Sequence, residues 1–518
     1  MHNHPLARPY LLGLFILLLC WAALGAHYLA ARPLLDLTDS FDFIYRARHL
    51  GPPAGSWFHP LYPLGYPLLL RGVATLVGDY AWAAKAISFG AALGVLMLFF
   101  ATAVRVYGRQ GLALLLTTFF AFNTAFWQVA VLDGTDMPAL LPMMAALYFL
   151  AHLPGLRWQP LLYAGLCLGV SYLIRYAALA MVPAVLLTLL FLLQAGARPR
   201  LRQAVAFVAG FVLAASPQLI LALAVKGNPF YNEQYVNVWF GLHGNGDFAT
   251  HWMQAMQVQS LWQVIAQAPA RFAENTWLNL TKVFFMQMLD YPLLFLWWLG
   301  LVLVPAVPRW RQRLGGQLLC TLAIGAAVSL AFVYWRLGLP ALPGMVLVSG
   351  LAFVWVEGLT LRYVPDSARR FLPAAYAVVV IACLAATAER FIKNIGPQLA
   401  QPLSATDQAR IGARQAMQAH GYGGAQQVLS LCFGQYDYAN PDHPPYTRPW
   451  FYESARLDSP AKLRALIARA KPRFIVVDPL SPADVPGLAG FWPNLGLEAY
   501  ARRIYAQAGV EVWVPGQP

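Results

Sequence analysis

Four aspartates and a handful of cations carry the strongest chemical signal in this chain. Asp39 and Asp42 stand three residues apart in "LLDLTDSFDFIYRARHLGPP" (34–53), and Asp133 and Asp136 stand three apart in "VLDGTDMPALL" (131–141). A carboxylate at the edge of a membrane can act as a base on a hydroxyl or hold a cation. Loop-edge aspartates also serve as solvated helix caps, and "TDMPALL" fits an N-cap at Thr135 or Asp136 with Pro138 in the first turn. Two such pairs on one face of a membrane favour chemistry over capping. Around them lie Arg46, Arg48, His59, Arg71, Lys85, Arg175, Lys226, Arg271, Lys282 and Arg336. Phosphate is one partner that such cations suit; the plainer role is that of interfacial anchors, which fits most of them. Arg336, directly after an aromatic pair in "VYWRLGLPALPG" (333–344), is the first candidate for a functional cation, and Arg175 the second.

The elements that must position these residues follow from composition. The chain has 518 residues, 59% hydrophobic and 11% charged, with mean hydropathy +0.53. Soluble chains carry about 25% charge, so this one is a polytopic membrane protein. Its net charge of +14 does not mark a nucleic-acid surface, because the cations form no groove or basic helix. The cysteines are scattered, with no CxxC or Cys/His spacing, so neither a disulfide framework nor a zinc site is expected. Acid pairs near His59 permit a divalent ion without requiring one, and no other cofactor is called for.

A helix needs about 20 apolar residues to cross the hydrocarbon core. Eleven spans are expected near 10–31, 81–103, 111–132, 137–153, 160–174, 177–193, 204–225, 283–307, 315–335, 338–356 and 371–388. The first is too long for a signal-peptide core and reads as a retained anchor. The stretch 160–193 contains Arg175. A single helix there would bury the guanidinium mid-membrane at about 2.5–3.5 kcal/mol, whereas two short helices bring it to an interface. Two helices also gather Arg8, Arg105, Arg109, Arg157, Arg198, Arg200, Arg202, Arg309, Arg311, Arg313, Arg362, Arg369 and Arg370 on one side, which the positive-inside rule makes cytoplasmic. The N-terminus is then inside. The opposite face carries 32–80, the turns at 133–136, 175–176 and 336, the long loop 226–282, and everything after 389.

Residues 1–389 form the expected membrane module, and 390–518 a separate small α/β domain outside the cytoplasm. "SATDQARIGARQAMQAH" and "PAKLRALIARAKP" read as helices. "QVLSLCF" (427–433), "RFIVVD" (473–478) and "VEVWVP" (510–515) read as strands. In "SWFHPLYPLGYPLLLRG" (56–72) three prolines break an aromatic, apolar run, which suits amphipathic segments lying in the interface. Tyr62, Tyr66 and Tyr334 are the aromatic residues expected to line a site for a lipid-borne substrate.

Taken in order, "TDSFDFIYRARHL", "HPLYPLGYPLLL", "LDGTDMPALL", "LGVSYLIRYAALAMVPA" and "YWRLGLPALPG" resemble the GT-C membrane glycosyltransferases. The likeness is to the bacterial branch related to protein O-mannosyltransferases and the lipid A aminoarabinose transferase, and it spans about residues 10–360. The resemblance implies a transferase that moves a sugar from a polyprenyl monophosphate to an acceptor hydroxyl at the extracytoplasmic face of a bacterial inner membrane. The acceptor would be a glycan, a lipid or a protein. Asp39 falls at the family's first-loop acid and would be the general base. Many relatives have adjacent acids there; here Ser40 follows, and Asp42 stands for the second acid. Asp136, with Asp133 nearby, would hold the acceptor or a cation. His59 and Arg336 would face the lipid phosphate, with Arg175, Lys85 and Arg71 as further phosphate contacts.

Two other readings compete. A transporter or flippase would keep its binding groups near mid-membrane, in broken helices from paired repeats; here the acids sit at span ends and no repeat is visible. A scaffold could bind glycan through the aromatic run 433–454, although such clusters more often pack a loop.

Overall fold

The computed structural model describes residues 7–32, 39–48, 50, 57–152, 157–192, 197–243, 255, 257–286, 292–331, 335–363, 371–401, 403–422, 428–431, 457–479, 481–484 and 486–516. Tyr334 and the aromatic run 433–454 lie outside the described residues.

Helices dominate up to residue 400. They begin with α1 (Arg8–Ala30), α2 (Asp39–Arg48), α3 (Gly65–Val77) and α4 (Tyr80–Tyr107). Next come α5 (Gln110–Ala121), α6 (Thr124–Val131), α7 (Asp136–Leu150) and α8 (Gln159–Ile174). A 3-10 turn at Tyr176–Ala180 leads into α9 (Met181–Leu187), and α10 runs over Ala197–Lys226. Four helices among the described residues are long and apolar enough to cross a bilayer: Arg8–Ala30, Tyr80–Tyr107, Pro199–Lys226 and Arg336–Thr360. The pair α5 and α6, bent by 64° where Asn123 caps the second helix through the Phe126 amide, is together long and apolar enough for a fifth, as a broken span or a re-entrant loop.

Several expected spans appear as shorter apolar pieces. α7 has 15 residues, about 22 Å of helix at 1.5 Å per residue, short of the roughly 30 Å core. The expected span 283–307 is broken: a π-helical turn covers Lys282–Met286, a 3-10 turn Pro292–Phe295, and α-helix only Leu296–Ala306.

The break within 160–193 falls at Arg175. α8 ends at Ile174, Arg175 is extended (φ −152°, ψ 125°), and the 3-10 turn restarts the chain. The pieces are locked by close backbone approach. A Cβ at Gly165 would fall on the Phe207 carbonyl oxygen, and one at Gly210 on that of Leu162, so α8 and α10 meet through small residues. Gly165→Leu is therefore expected to drive the two helices apart, with loss of folded protein on size-exclusion chromatography in detergent. Gly72→Leu, with open space at its Cβ, is expected to leave the elution profile unchanged.

α2 and α3 form in the loop after α1. α3 turns Tyr66, Leu70 and Ala74 inward and leaves Leu68, Leu69, Leu76 and Val77 exposed, the pattern of a helix wetted by lipid on one side. The outer loop contributes the helices Tyr235–His243, Leu261–Gln267 and Pro269–Thr281.

The C-terminal residues build a four-stranded sheet in the order β1 (Val428–Ser430), β2 (Phe474–Val477), β4 (Val510–Pro515), β3 (Ala501–Gln507). β1 and β2 are parallel and the other pairings antiparallel. Helix Ala405–Ala419 packs Ala409, Ala413 and Met417 on one face, and helix Pro460–Ala470 packs Leu463, Leu466 and Ile467 on the other. A strand at 501–507 is not among those the sequence suggests. It pairs with β4 through a two-residue turn, Ala508 and Gly509, both at positive φ (46° and 79°), the geometry of tight hairpins. An ion pair from Arg414 to Asp79, at 2.7 Å, joins this region to the N-cap of α4.

Candidate active site

The first turn of α2 presents Asp39 and Asp42, and the turn before α7 presents Asp133 and Asp136. Ser40 joins the two segments: its hydroxyl lies within hydrogen-bond distance of the Asp133 carbonyl and, at 2.9 Å, of the Asp133 carboxylate. Ser88 of α4 fixes the same turn from behind, exchanging hydrogen bonds with the carbonyl and amide of Gly134 at 3.2 and 3.3 Å. The two acid-bearing segments are therefore stitched together.

Each acid has its own partner. Asp39 is paired with Arg336 at 3.2 Å, both side chains being partly exposed. Asp136 is buried and pairs with Arg175, which also donates to the Thr135 hydroxyl at 3.2 Å. Thr135 occupies the N-cap position of α7 but makes no side-chain cap bond. The turn is thus built for the Asp136–Arg175 contact rather than for capping. The Ser40–Asp133 link thus brings two acid–guanidinium pairs together, Asp39 with Arg336 and Asp136 with Arg175.

Asp42 differs from the others. It is completely buried, its oxygens accept no hydrogen bond among the described residues, and its charged neighbour is Arg46 at 3.8 Å, one helical turn on. Burial pushes its carboxyl up to about 7; Arg46 opposes the rise and the Asp39 charge adds to it. The unfolded chain ionises Asp42 from about pH 4, where the folded protein still holds the proton. This contribution to stability is therefore full below about pH 4, falls as pH rises, and is gone above about 7. Asp42→Asn is expected to flatten the decline of the melting temperature between those limits; an unchanged pH profile would contradict the assignment.

His59 accepts the Leu61 and Tyr62 amides on Nδ1 at 3.1 and 3.2 Å, which puts its ring hydrogen on Nε2. It stacks on Tyr62, and Tyr62 and Tyr66 both pack edge-on against Phe43 of α2. Arg71 is exposed and donates to the Leu50 carbonyl at 2.6 Å, while buried Lys85 donates to the Arg32 carbonyl at 2.9 Å. Each thus binds a main-chain carbonyl.

Sequence reasoning missed several supporting groups. Gln218 of α10 accepts the Leu64 amide at 3.0 Å and donates to the Tyr176 hydroxyl at 2.9 Å, holding the proline-rich segment against the membrane helices. The outer loop grips the same segment: the Glu233 amide donates to the Pro60 carbonyl at 2.9 Å, and Gln234 to that of Leu61 at 2.7 Å. A glutamine in the apolar stretch of α10 was the available signal. Among the described residues no group of three or more His, Cys, Asp or Glu side chains comes together to hold a metal ion.

Cutting the Asp136–Arg175 pair at one end leaves a largely buried charge alone, which costs about 3–5 kcal/mol in well-buried cases. Arg175 is 25% exposed, so a cost at the low end is expected for Asp136→Ala. The double variant with Arg175→Ala is expected to lose less than the sum of the single losses, as thermal unfolding in detergent would measure.

Comparison with known proteins gives a consistent fold. The family model described as dolichyl-phosphate-mannose-protein mannosyltransferase matches residues 59–221. No curated protein matches the sequence. The crystal structure of ArnT from Cupriavidus metallidurans bound to undecaprenyl phosphate is similar at a TM-score of 0.56 and 14% identity, covering 97% of this chain and 99% of that one. The archaeal oligosaccharyltransferase AglB from Archaeoglobus fulgidus, in complex with an inhibitory peptide and a dolichol-phosphate, is similar at 0.53 and 12% identity, covering 98% and 74%. At such identities the likeness is one of fold.

Proposed function

We propose that this chain, whose fold is shared with ArnT and AglB, is a GT-C-type membrane glycosyltransferase that transfers a sugar from a polyprenyl monophosphate to an acceptor hydroxyl, inverting the anomeric centre. The observation that carries this reading is that two separate segments, tied together by Ser40 and Asp133, each bring an aspartate paired with an arginine, Asp39 with Arg336 and Asp136 with Arg175.

The chemistry follows from those groups. The acceptor oxygen attacks the anomeric carbon while its proton passes to the Asp39 carboxylate. The bond from that carbon to the phosphate oxygen breaks, and the electron pair leaves with the phosphate. A phosphate departs as an anion, so it needs a cation rather than a protonating acid, and Arg336 supplies one. A phosphate at Arg336 competes with the Arg336–Asp39 pair, which leaves Asp39 able to take the proton. Asp136, held by Arg175, fixes the second wall of the site and orients the acceptor. The Nε2–H of His59 offers a further hydrogen bond to phosphate, and Tyr62 lines the site beside it; Tyr66, expected from the sequence to do the same, is instead fully buried against Phe43 in the core. This differs from glycoside hydrolysis, where two carboxylates flank the scissile bond.

The same reading takes the shorter helices as part of an eleven-span module with the N-terminus cytoplasmic, in a bacterial inner membrane, and residues 390–518 as a separate domain outside the cytoplasm. The positive-inside rule supports this: it makes the arginine-rich connections cytoplasmic, which leaves the segments that carry Asp39, Asp42, Asp133 and Asp136 on the opposite face. The stereochemistry of the purified product tests the reaction. An inverted linkage is expected, and a retained one would rule out single displacement.

A further inference from the structure

The outer loop 226–282 holds two distant segments of the chain at once. Its helix Tyr235–His243 begins where the Glu233 amide and the Gln234 side chain meet the carbonyls of Pro60 and Leu61. Asn237, one turn on, donates to Gln234 Oε1 at 2.7 Å, which leaves Gln234 Nε2 for Leu61. The segment held this way carries His59 and Tyr62.

Near its other end the same helix meets the second segment. Gly241 lies so close to Ala331 that a Cβ there would collide with the Ala331 carbonyl oxygen. The helix Pro269–Thr281 reaches that oxygen too: Asn275 and Asn279, one turn apart, each donate to it at 3.0 Å. Two donors fill both lone pairs of the carbonyl, which leaves it a single orientation. Asn279 is buried and also donates to the Ser329 carbonyl at 3.3 Å, at the end of the helix Pro308–Ser329, where carbonyls lack partners within the helix. Ala331 stands five residues before Arg336, whose 3-10 turn, Trp335–Ala341, packs along that helix and against α6 and α7.

We propose that Asn275 and Asn279 are positioning residues for the lipid donor. Through them the outer loop braces the chain that carries Arg336 against the segment that carries His59, and sets the distance over which both reach one phosphate. The inference rests on the reading of Arg336 and His59 as phosphate contacts. The asparagines act through Arg336 and do not touch the donor.

Equilibrium binding of a sugar-free polyprenyl monophosphate to the full-length protein in nanodiscs tests it, with the melting temperature measured alongside. Asn275→Ala with Asn279→Ala is expected to weaken binding about five- to tenfold, at the low end of coupling between linked sites. The decisive comparison is made in the Arg336→Ala background. There the two asparagine changes are expected to add nothing, because the group they position is gone. Should the double variant fail to fold, Asn275→Ala alone leaves Asn279 on the same oxygen. It is expected to show a smaller loss with the same dependence on Arg336. Binding equal to the wild type in the asparagine variants would overturn the proposal. So would an equal further loss in the Arg336→Ala background, the mark of a general weakening of the fold. Full binding by Arg336→Ala itself would instead take down the reading of Arg336, and the inference with it.

Discussion

Asp39→Asn is expected to abolish sugar transfer while the protein still folds and binds its lipid donor. The substitution keeps the size and polarity of the side chain at the N-terminus of α2 but removes the group that takes the acceptor's proton. General-base catalysis contributes about 10²–10⁴-fold, so the turnover rate is expected to fall by that order while donor binding changes little. The side chain is partly exposed and paired with Arg336, so the variant loses one ion pair at the surface of the site and no core contact. The expected cost to folding is small. A discontinuous assay of sugar transfer, with the melting temperature measured alongside, separates the two effects. Near-normal turnover would remove Asp39 from its role.

The second large effect is expected at Arg336. Arg336→Ala removes the cation that pairs with Asp39 and that, in the proposed reaction, stabilises the leaving phosphate. Losing one preorganised group that stabilises developing charge costs about 10²–10³-fold in turnover. Donor binding should weaken as well, because the same guanidinium meets the phosphate before and during bond cleavage. Arg336→Lys is expected to recover part of the loss, since it restores the charge but not the two-pronged geometry. The split between the Asp39 and Arg336 variants is diagnostic: the first lowers turnover with donor affinity intact, and the second lowers both. Equal effects on both parameters in the two variants would contradict the assigned roles.

Which residues the candidate site draws on is partly legible in the sequence. Three-residue spacing put Asp39 with Asp42 and Asp133 with Asp136, and the cost of a buried guanidinium put a break at Arg175; the chain does turn there. Pairing was less legible. Nothing in the sequence ties Arg175 to Asp136 or Arg336 to Asp39, 297 residues away, because such contacts depend on how helices stack. Asp42 looked like the twin of Asp39. Its burial comes from being on the inward side of α2, behind Phe43 and Ile44, a difference that a ten-residue helix in a polar loop barely encodes.

The helices taught a similar lesson. Long apolar runs such as Tyr80–Tyr107 were plain, whereas the run 283–307 broke into π, 3-10 and α pieces that hydropathy alone cannot resolve. In the C-terminal region, β4 was clear from its alternation. β3 was not, since "ARRIYAQ" carries two arginines, and only the Ala508–Gly509 turn after it signalled a hairpin.

The most direct measurement is the identity of the sugar-bearing lipid that stays with the protein on purification. If Arg336 and Asp39 form the reaction centre proposed here, mass spectrometry of extracts from the Asp39→Asn variant will find a sugar joined to a polyprenyl chain through a single phosphate. Arg336→Ala will have lost it. A sugar joined through a diphosphate or a nucleotide, or an equal yield from both variants, would contradict the account.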